Sequence, residues 1–364
     1  MDFTIFMGII ENTNQEINNK MTDLQTTYMG LKLKNPLIAG SCGLTNSVHN
    51  ISEIAKHGVG AIVVKSVFEE QINLDTHKVI KSEEGDVKTF TRASSGLLGR
   101  RVHDYDEAYN YIYDFAKSHT LNKYLDLLRE AKKAVVVPLI ASINCVSNND
   151  WHSFAKKIEE TGVDALELNI YILPSDWRRN TEDNEKVYYD IINEVKNYVN
   201  LPIAVKIGYY FSSLAQAVQK LSNTGIKGLV LFNRPYNTDF DIEKLEVSHG
   251  SIYSNDSEYN HTLRWVSILS GNLGCDISAS TGVHGWEAFV KQLLAGATTV
   301  QMASALYTEG FGIIPSVLEE TKAWMKNHGF DKVDDFRGKL SKSRLENPAA
   351  IERVQFMKLY SGIE

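Results

Sequence analysis

Cysteine is scarce in this chain and never paired in sequence. Three occur in 364 residues, Cys42, Cys145 and Cys275, and none forms a C-x-x-C spacing. A disulfide framework, a zinc site and a cysteine-bound iron–sulfur cluster therefore lack their ligand sets. Reduced thiols in a cytoplasmic protein are the simplest expectation. A basic excess is also missing: 38 Lys and Arg stand against 45 Asp and Glu, a net charge of −7. That leaves no footprint for a phosphate backbone, so nucleic acid is not an expected partner. Long apolar runs are absent too. The run at residues 3–10 falls short of the roughly 20 residues that span a bilayer. Flanked by Asp2 and Glu11, it also lacks the basic start and small-residue cleavage site of a signal peptide. No membrane partner is expected.

What is present is an ordinary globular composition, 43% hydrophobic and 23% charged, and a repeat. G-V-G-A-I-V-V-K (58–65), G-V-D-A-L-E-L-N (162–169), G-I-K-G-L-V-L-F-N (225–233) and A-G-A-T-T-V-Q-M-A (295–303) share one pattern. Each has a Gly, a few small or polar residues, and an apolar run closing on a polar or small residue. The physical reading is a helix stopped by Gly, a short turn and a buried parallel strand. Amphipathic segments at 52–57, 154–161, 215–224 and 288–294 precede them. Four further runs have strand character: 35–41, 138–144, 202–208 and 275–281.

Eight strands alternating with helices predict an α/β fold, a (β/α)8 TIM barrel. A doubly wound open sheet is the runner-up; no G-x-G-x-x-G follows the first strand. The segment 26–34 predicts an N-terminal β-hairpin below the barrel. Residues 67–130 and 234–264 are long enough to be inserted loops over the C-terminal mouth. The expected organisation is an N-terminal extension, 1–25, and a single barrel domain, 26–364.

Barrel active sites are built from the C-terminal ends of the strands. Those ends carry Ser41 and Cys42, Lys65 and Ser66, Asn144 and Cys145, Asn169, Lys206, Asn233 and Arg234, Ser280 to Gly282, and Ala303 and Ser304. The small residues ending strands seven and eight suit a phosphate held by backbone N–H groups. The lysines and asparagines suit a heterocycle rich in carbonyls and ring N–H groups, and Lys206 can stabilise negative charge on a reduced ring. None of the ten His falls at a strand end, so no metal site is expected. A strand-end lysine beside a phosphate site serves other chemistry as well. A Schiff-base lyase or aldolase using Lys206 stays open.

At this point the sequence resembles the FMN-dependent dihydroorotate dehydrogenases and their dihydropyrimidine dehydrogenase relatives, from about residue 27 to 312. The likeness is carried by G-L-K-L-K-N-P-L (30–37), V-V-K-S (63–66), S-S-G-L-L-G (94–99), S-I-N (142–144), A-L-E-L-N (165–169), L-P-I-A-V-K (201–206), G-L-V-L-F-N (228–233) and A-G-A-T-T-V-Q-M-A-S-A (295–305). The resemblance implies FMN as cofactor and hydride transfer with a small-molecule substrate, in pyrimidine metabolism. It implies a soluble electron acceptor or partner protein, and a homodimer by family habit; a flavin-binding protein without dehydrogenase activity stays open beside it. Gly40, Ser41, Lys65 and Ser66 would lie along the flavin, Lys65 being counted with the catalytic group. Asn144 and Asn169 would contact flavin or substrate, and Lys206 the flavin carbonyl side. Thr281, Gly282, Ala303 and Ser304 would hold the phosphate; Asn233, Arg234 and Ser94 would face the substrate.

The departures are as informative. The family continues its strand-four Asn as N-x-S-C-P-N, whose Cys or Ser takes a proton from the substrate. Here Asn169 leads into I-Y-I-L-P-S-D, so Ile172 stands at the base position and Pro174 at the later Asn. Ala93 and Arg234 replace two further polar residues of the pattern. Ser175, Tyr171 or Cys145 would have to act as proton acceptor, Ser175 first. Arg178, Arg179 and Arg234 could clamp an acidic substrate.

Overall fold

The four glycines of the repeat all take left-handed backbone angles, Gly58 at φ 104°, Gly162 at 82°, Gly225 at 87° and Gly296 at 115°. A side chain resists that region, so Gly stops the helix and turns the chain back into the sheet. The helices before them are α1 (Val48–Lys56), α2 (Trp151–Glu159), α4 (Leu214–Ser222) and α6 (Trp286–Ala295). Between α2 and α4 lies α3 (Thr181–Tyr198), started by a reciprocal cap. Asp183 N donates to Asn180 Oδ1 at 2.8 Å, and Asn180 N donates to Asp183 Oδ2 at 3.2 Å. The computed structural model describes residues 22–68, 121–144, 151–235 and 237–353. Most of the N-terminal extension, the 90–100 loop with Ala93 and Ser94, and Cys145 lie outside the described residues.

All eight expected strands form. They are β1 (Leu37–Ala39), β2 (Ala61–Val63), β3 (Leu139–Asn144), β4 (Ala165–Ile170), β5 (Ile203–Ile207), β6 (Gly228–Leu231), β7 (Asp276–Ser280) and β8 (Thr299–Met302). Each pairs in parallel with its neighbours in sequence, and β8 pairs with β1 through Val300 and Leu37. The barrel is thus closed and has no open edge. A two-residue strand, Val67–Phe68, adds to the end of β3.

The hairpin expected at 26–34 is present, Thr26–Tyr28 pairing antiparallel with Leu31–Leu33. It plugs the barrel floor. Tyr28 and Met29 pack on Ile38, Ala61, Ile140, Ala204 and Val230, and Met29 N donates to Asp276 Oδ2 of β7 at 2.7 Å. The insertion after β6 also contains a hairpin, Thr238–Asp241 against Glu246–His249. It leads into α5 (Tyr259–Leu269). Past β8 come α7 (Ser304–Thr308) and α8 (Ile313–Asn327).

Candidate active site

Side chains along β4 alternate between the barrel axis and the surrounding helices. Leu166, Leu168 and Ile170 join the outer core with Leu139, Ala141 and Ile143 of β3. Ala165 belongs to the inner cluster. A period of two therefore puts Glu167 and Asn169 inside the barrel. Strand register then sets Asn144 of β3 and Lys206 of β5 on either side of Asn169. All three are buried, Asn144 at 9%, Asn169 at 7% and Lys206 at 8% exposure.

Their hydrogen bonds cross the mouth of the barrel. Asn233 Nδ2, just beyond β6, donates to Asn169 Oδ1 at 2.8 Å. The Lys206 ammonium faces Gln301 Oε1 of β8 at 3.4 Å, and Gln301 Nε2 donates to Glu167 Oε2 at 2.8 Å. Opposite, Ser66 N donates to Ser41 Oγ at 2.9 Å. The Ser66 hydroxyl lies 3.0 Å from that of Ser41 and 2.7 Å from that of Ser142. Gly40 abuts Gln301: a Cβ there would stand 3.4 Å from its side chain. Lys65 is half-buried at the end of β2, its N–H donating to Thr45 O at 3.2 Å.

Above this floor opens a cavity of about 660 Å³, within the range of small-molecule sites. Lys206, Gln301, Ser41 and Asn233 face it from below, and Thr281, Gly282, Ala303 and Ser304 from one side. Thr281 and Gly282 have φ of 80° and 74°. A Cβ on Gly282 would lie 2.2 Å from Tyr259 N, so the β7 loop rides directly on the start of α5. The roof is the segment 249–254 after the second hairpin. It is fastened at two points: Ser254 N donates to Ser304 Oγ at 3.1 Å, and the Ser254 hydroxyl lies 2.9 Å from His284 Nε2.

Arg234 holds the same roof. Its Nε donates to Glu258 Oε2 at 2.8 Å, its Nη2 to Glu258 Oε1 at 3.2 Å, and its Nη1 to the carbonyls of Ser251 and Ile252 at 3.0 Å each. Burial alone would raise the Glu258 carboxyl. The Arg234 and Asn255 hydrogen bonds and the positive charge of Arg234 outweigh it and hold the carboxyl below its ordinary range. Expected as a clamp for an acidic substrate, Arg234 is committed to the chain itself.

The loop after β4 does not reach the cavity. Ser175 is exposed, its N–H donating to Leu173 O at 2.8 Å. Tyr171 packs its ring against Gly208 and Tyr210. Ile172 and Pro174 line a separate cavity of about 370 Å³ with Tyr188, Tyr209 and Phe211. Arg178 pairs with Asp176 at 2.9 Å, and Arg179 donates to Asp183 O at 2.8 Å, both on the surface. The structure therefore brings together Ser41, Asn169, Lys206, Asn233 and the two small-residue loops, and leaves Ser175 and Tyr171 outside. Among the described residues no group of three His, Cys, Asp or Glu is placed to hold a metal, and no helix is long and apolar enough to cross a membrane.

Sequence reasoning missed Gln301, Glu258, Ser254 and His284. Gln301 was visible as the one long polar side chain in the buried run T-T-V-Q-M. Ser254, Glu258 and His284 lie beyond the strand ends, where the polar residues of a barrel site are ordinarily gathered.

The model of the family described as dihydroorotate dehydrogenase matches residues 23–325. The chain is 23% identical to the dihydroorotate dehydrogenase B (NAD(+)) catalytic subunit of Thermoplasma volcanium over 87% of its own length and 98% of that protein. It is 26% identical to the same subunit of Methanocaldococcus jannaschii, over 83% and 94%. It is 24% identical to the chloroplastic dihydropyrimidine dehydrogenase (NADP(+)) of Arabidopsis thaliana, over 87% and 76%. With the closed parallel barrel and the site at its C-terminal mouth, these matches establish that the chain belongs to the dihydroorotate dehydrogenase family of oxidoreductases.

Proposed function

We propose that this chain is an FMN-dependent oxidoreductase that passes a hydride between a small dihydropyrimidine-like substrate and the flavin. One observation carries the reading: the buried Lys206 ammonium at the floor of a cavity whose side wall is the Thr281–Gly282 and Ala303–Ser304 pair. The residues fit FMN. Gly282 and Ala303, with no side chain or only a methyl, leave that wall open for a phosphate to approach backbone N–H groups closely. Asn144, Asn169 and Lys206 form a row of one cation and two amides suited to a ring of carbonyls and N–H groups. FMN, when bound, supplies the two-electron acceptor. Lys206 would face its pyrimidine carbonyl side and favour negative charge there. Ser41 and Ser66 would border the ring, with Lys65 beside them. Asn169 and Asn233, joined by their hydrogen bond, would orient the substrate.

With Ser175 and Tyr171 outside the cavity, the β4 loop offers no acid–base group at the site. A well-placed group of that kind contributes roughly 10²–10⁴-fold. Unless Cys145, next to Asn144 at the end of β3, takes that part, dihydroorotate oxidation should therefore be slow, and substrates that release hydride without base assistance should be preferred. Electrons would leave to a soluble acceptor or a partner subunit, as the subunit names of the relatives suggest, in a cytoplasmic homodimer.

The absorption spectrum of the purified protein tests this, followed by anaerobic bleaching with dihydroorotate and dihydrouracil. A yellow protein bleached slowly by dihydroorotate is expected. Rapid bleaching by dihydroorotate would show that a base is in place at the site. A colourless protein that refuses FMN, yet is trapped by borohydride with a carbonyl substrate, would put a Schiff-base lyase in its place.

A further inference from the structure

Glu167 sits inside the barrel at 1% exposure, on the layer beneath Asn169 and Lys206. One oxygen accepts the Gln301 amide at 2.8 Å; the other, Oε1, is buried with no hydrogen-bond partner among the described residues. A carboxylate buried with half its acceptors unused costs stability, so fold stability does not account for it. Its placement does have a consequence for Lys206.

A carboxylate only accepts hydrogen bonds and an ammonium only donates them, whereas a carboxamide has one end of each kind. Gln301 lies between the two. With its NH₂ turned to Glu167, its Oε1 must face Lys206, as observed at 3.4 Å. The flipped amide would set donor against donor and acceptor against carboxylate. We propose that Glu167 is a positioning residue: through the amide of Gln301 it fixes where Lys206 presents its ammonium to the cavity. The amide also keeps the negative charge one side chain away, so the ammonium is oriented without being offset by direct contact. This inference rests on the FMN reading above.

The test uses the full chain, with apoprotein titrated by FMN through flavin fluorescence and the reduction potential of the bound flavin measured. Glu167→Met should weaken FMN binding about tenfold and lower the potential by about 30 mV, a tenfold loss in preference for the reduced form of a two-electron couple. Glu167→Gln, whose own amide lets Gln301 face either way, should fall between this variant and wild type, and being isosteric keeps the test alive if the Met variant fails to fold. Gln301→Met should match Glu167→Met, and the double variant should be no worse than either, because the two act in series. A rise in potential would show Glu167 felt only as a charge, an unchanged potential would show a purely structural role, and additive losses would show independent action. Each overturns the proposal. A wild-type chain that takes up no FMN would overturn the proposed function and this inference together.

Discussion

The loop after β4 and the insertion after β6 leave strands on either side of β5 at the same end of the barrel, yet they end in opposite situations. The insertion folds over the cavity because its polar side chains find partners far away in sequence: Arg234 with Glu258, and Ser254 with His284 and Ser304. From Leu173 to Asn180 the hydrogen bonds of the β4 loop run to residues two to four positions away. Leu173 and Trp177 consequently stand in solvent, at 57% and 98% exposure. Long-range polar pairs decide which loop becomes part of the site.

The largest effect should come from Gly282→Ala. It forces a side chain into a left-handed position, at a cost of roughly 1–2 kcal/mol. It also drives a Cβ to within 2.2 Å of Tyr259 N, so the β7 loop must lift off α5. FMN affinity should fall at least a hundredfold and the thermal midpoint by several degrees, read by flavin titration and by unfolding monitored with circular dichroism. Retained affinity would place the phosphate elsewhere.

Arg234→Ala comes next. It leaves Glu258, a carboxylate with 25% side-chain exposure, without its bidentate partner, and frees the carbonyls of Ser251 and Ile252. A loss of about 2 kcal/mol is expected, with the roof becoming the first segment cut in limited proteolysis. Roof cleavage at the wild-type rate would show that the hairpin, not Arg234, holds it.

How far the sequence foretold this comparison differs between its two parts. The barrel was legible because each unit announces itself locally: a Gly that must be left-handed, a buried run, a small or polar end. Asn169 and Lys206 stood out as polar residues near the ends of such runs. The roof was not legible. T-D-F-D and E-V-S-H do alternate, but nothing nearby says that they pair, and Arg234 looked free because its partner lies 24 residues on. The place of the loop after β4 was hidden for the converse reason. Ser175 stands near the family's base position in sequence, and only three-dimensional packing shows it turned to solvent.

The Arg234–Glu258 pair also has a signature in pH. The folded-state pKa of Glu258 is depressed, so its contribution is complete above the ordinary carboxylate value of about 4.3 and is lost as pH falls through the lower folded value. Glu258→Gln should narrow its stability deficit against wild type as pH drops from 6 to about 3. Denaturant midpoints across that range check it. A deficit that stays constant would mean that the pair contributes no net charge interaction.

The smallest effects belong to the free loop, and they are the sharpest test of the difference between the two regions. Trp177→Ala removes the most exposed aromatic of that loop and touches no described long-range contact, so stability should shift by no more than about 0.5 kcal/mol. Ser175→Ala asks the catalytic question directly. With Ser175 exposed and outside the cavity, the rate of substrate-dependent flavin bleaching in stopped flow should stay within about twofold of wild type. A loss on the order of 10²-fold, the least a positioned acid or base contributes, would mean that the loop folds inward over bound substrate. It would then join the roof as a second, ligand-dependent wall. The two variants separate the alternatives. A loop that closes needs its apolar residues to bury something, so Trp177→Ala would then lose rate together with Ser175→Ala, whereas a loop that stays open leaves both untouched.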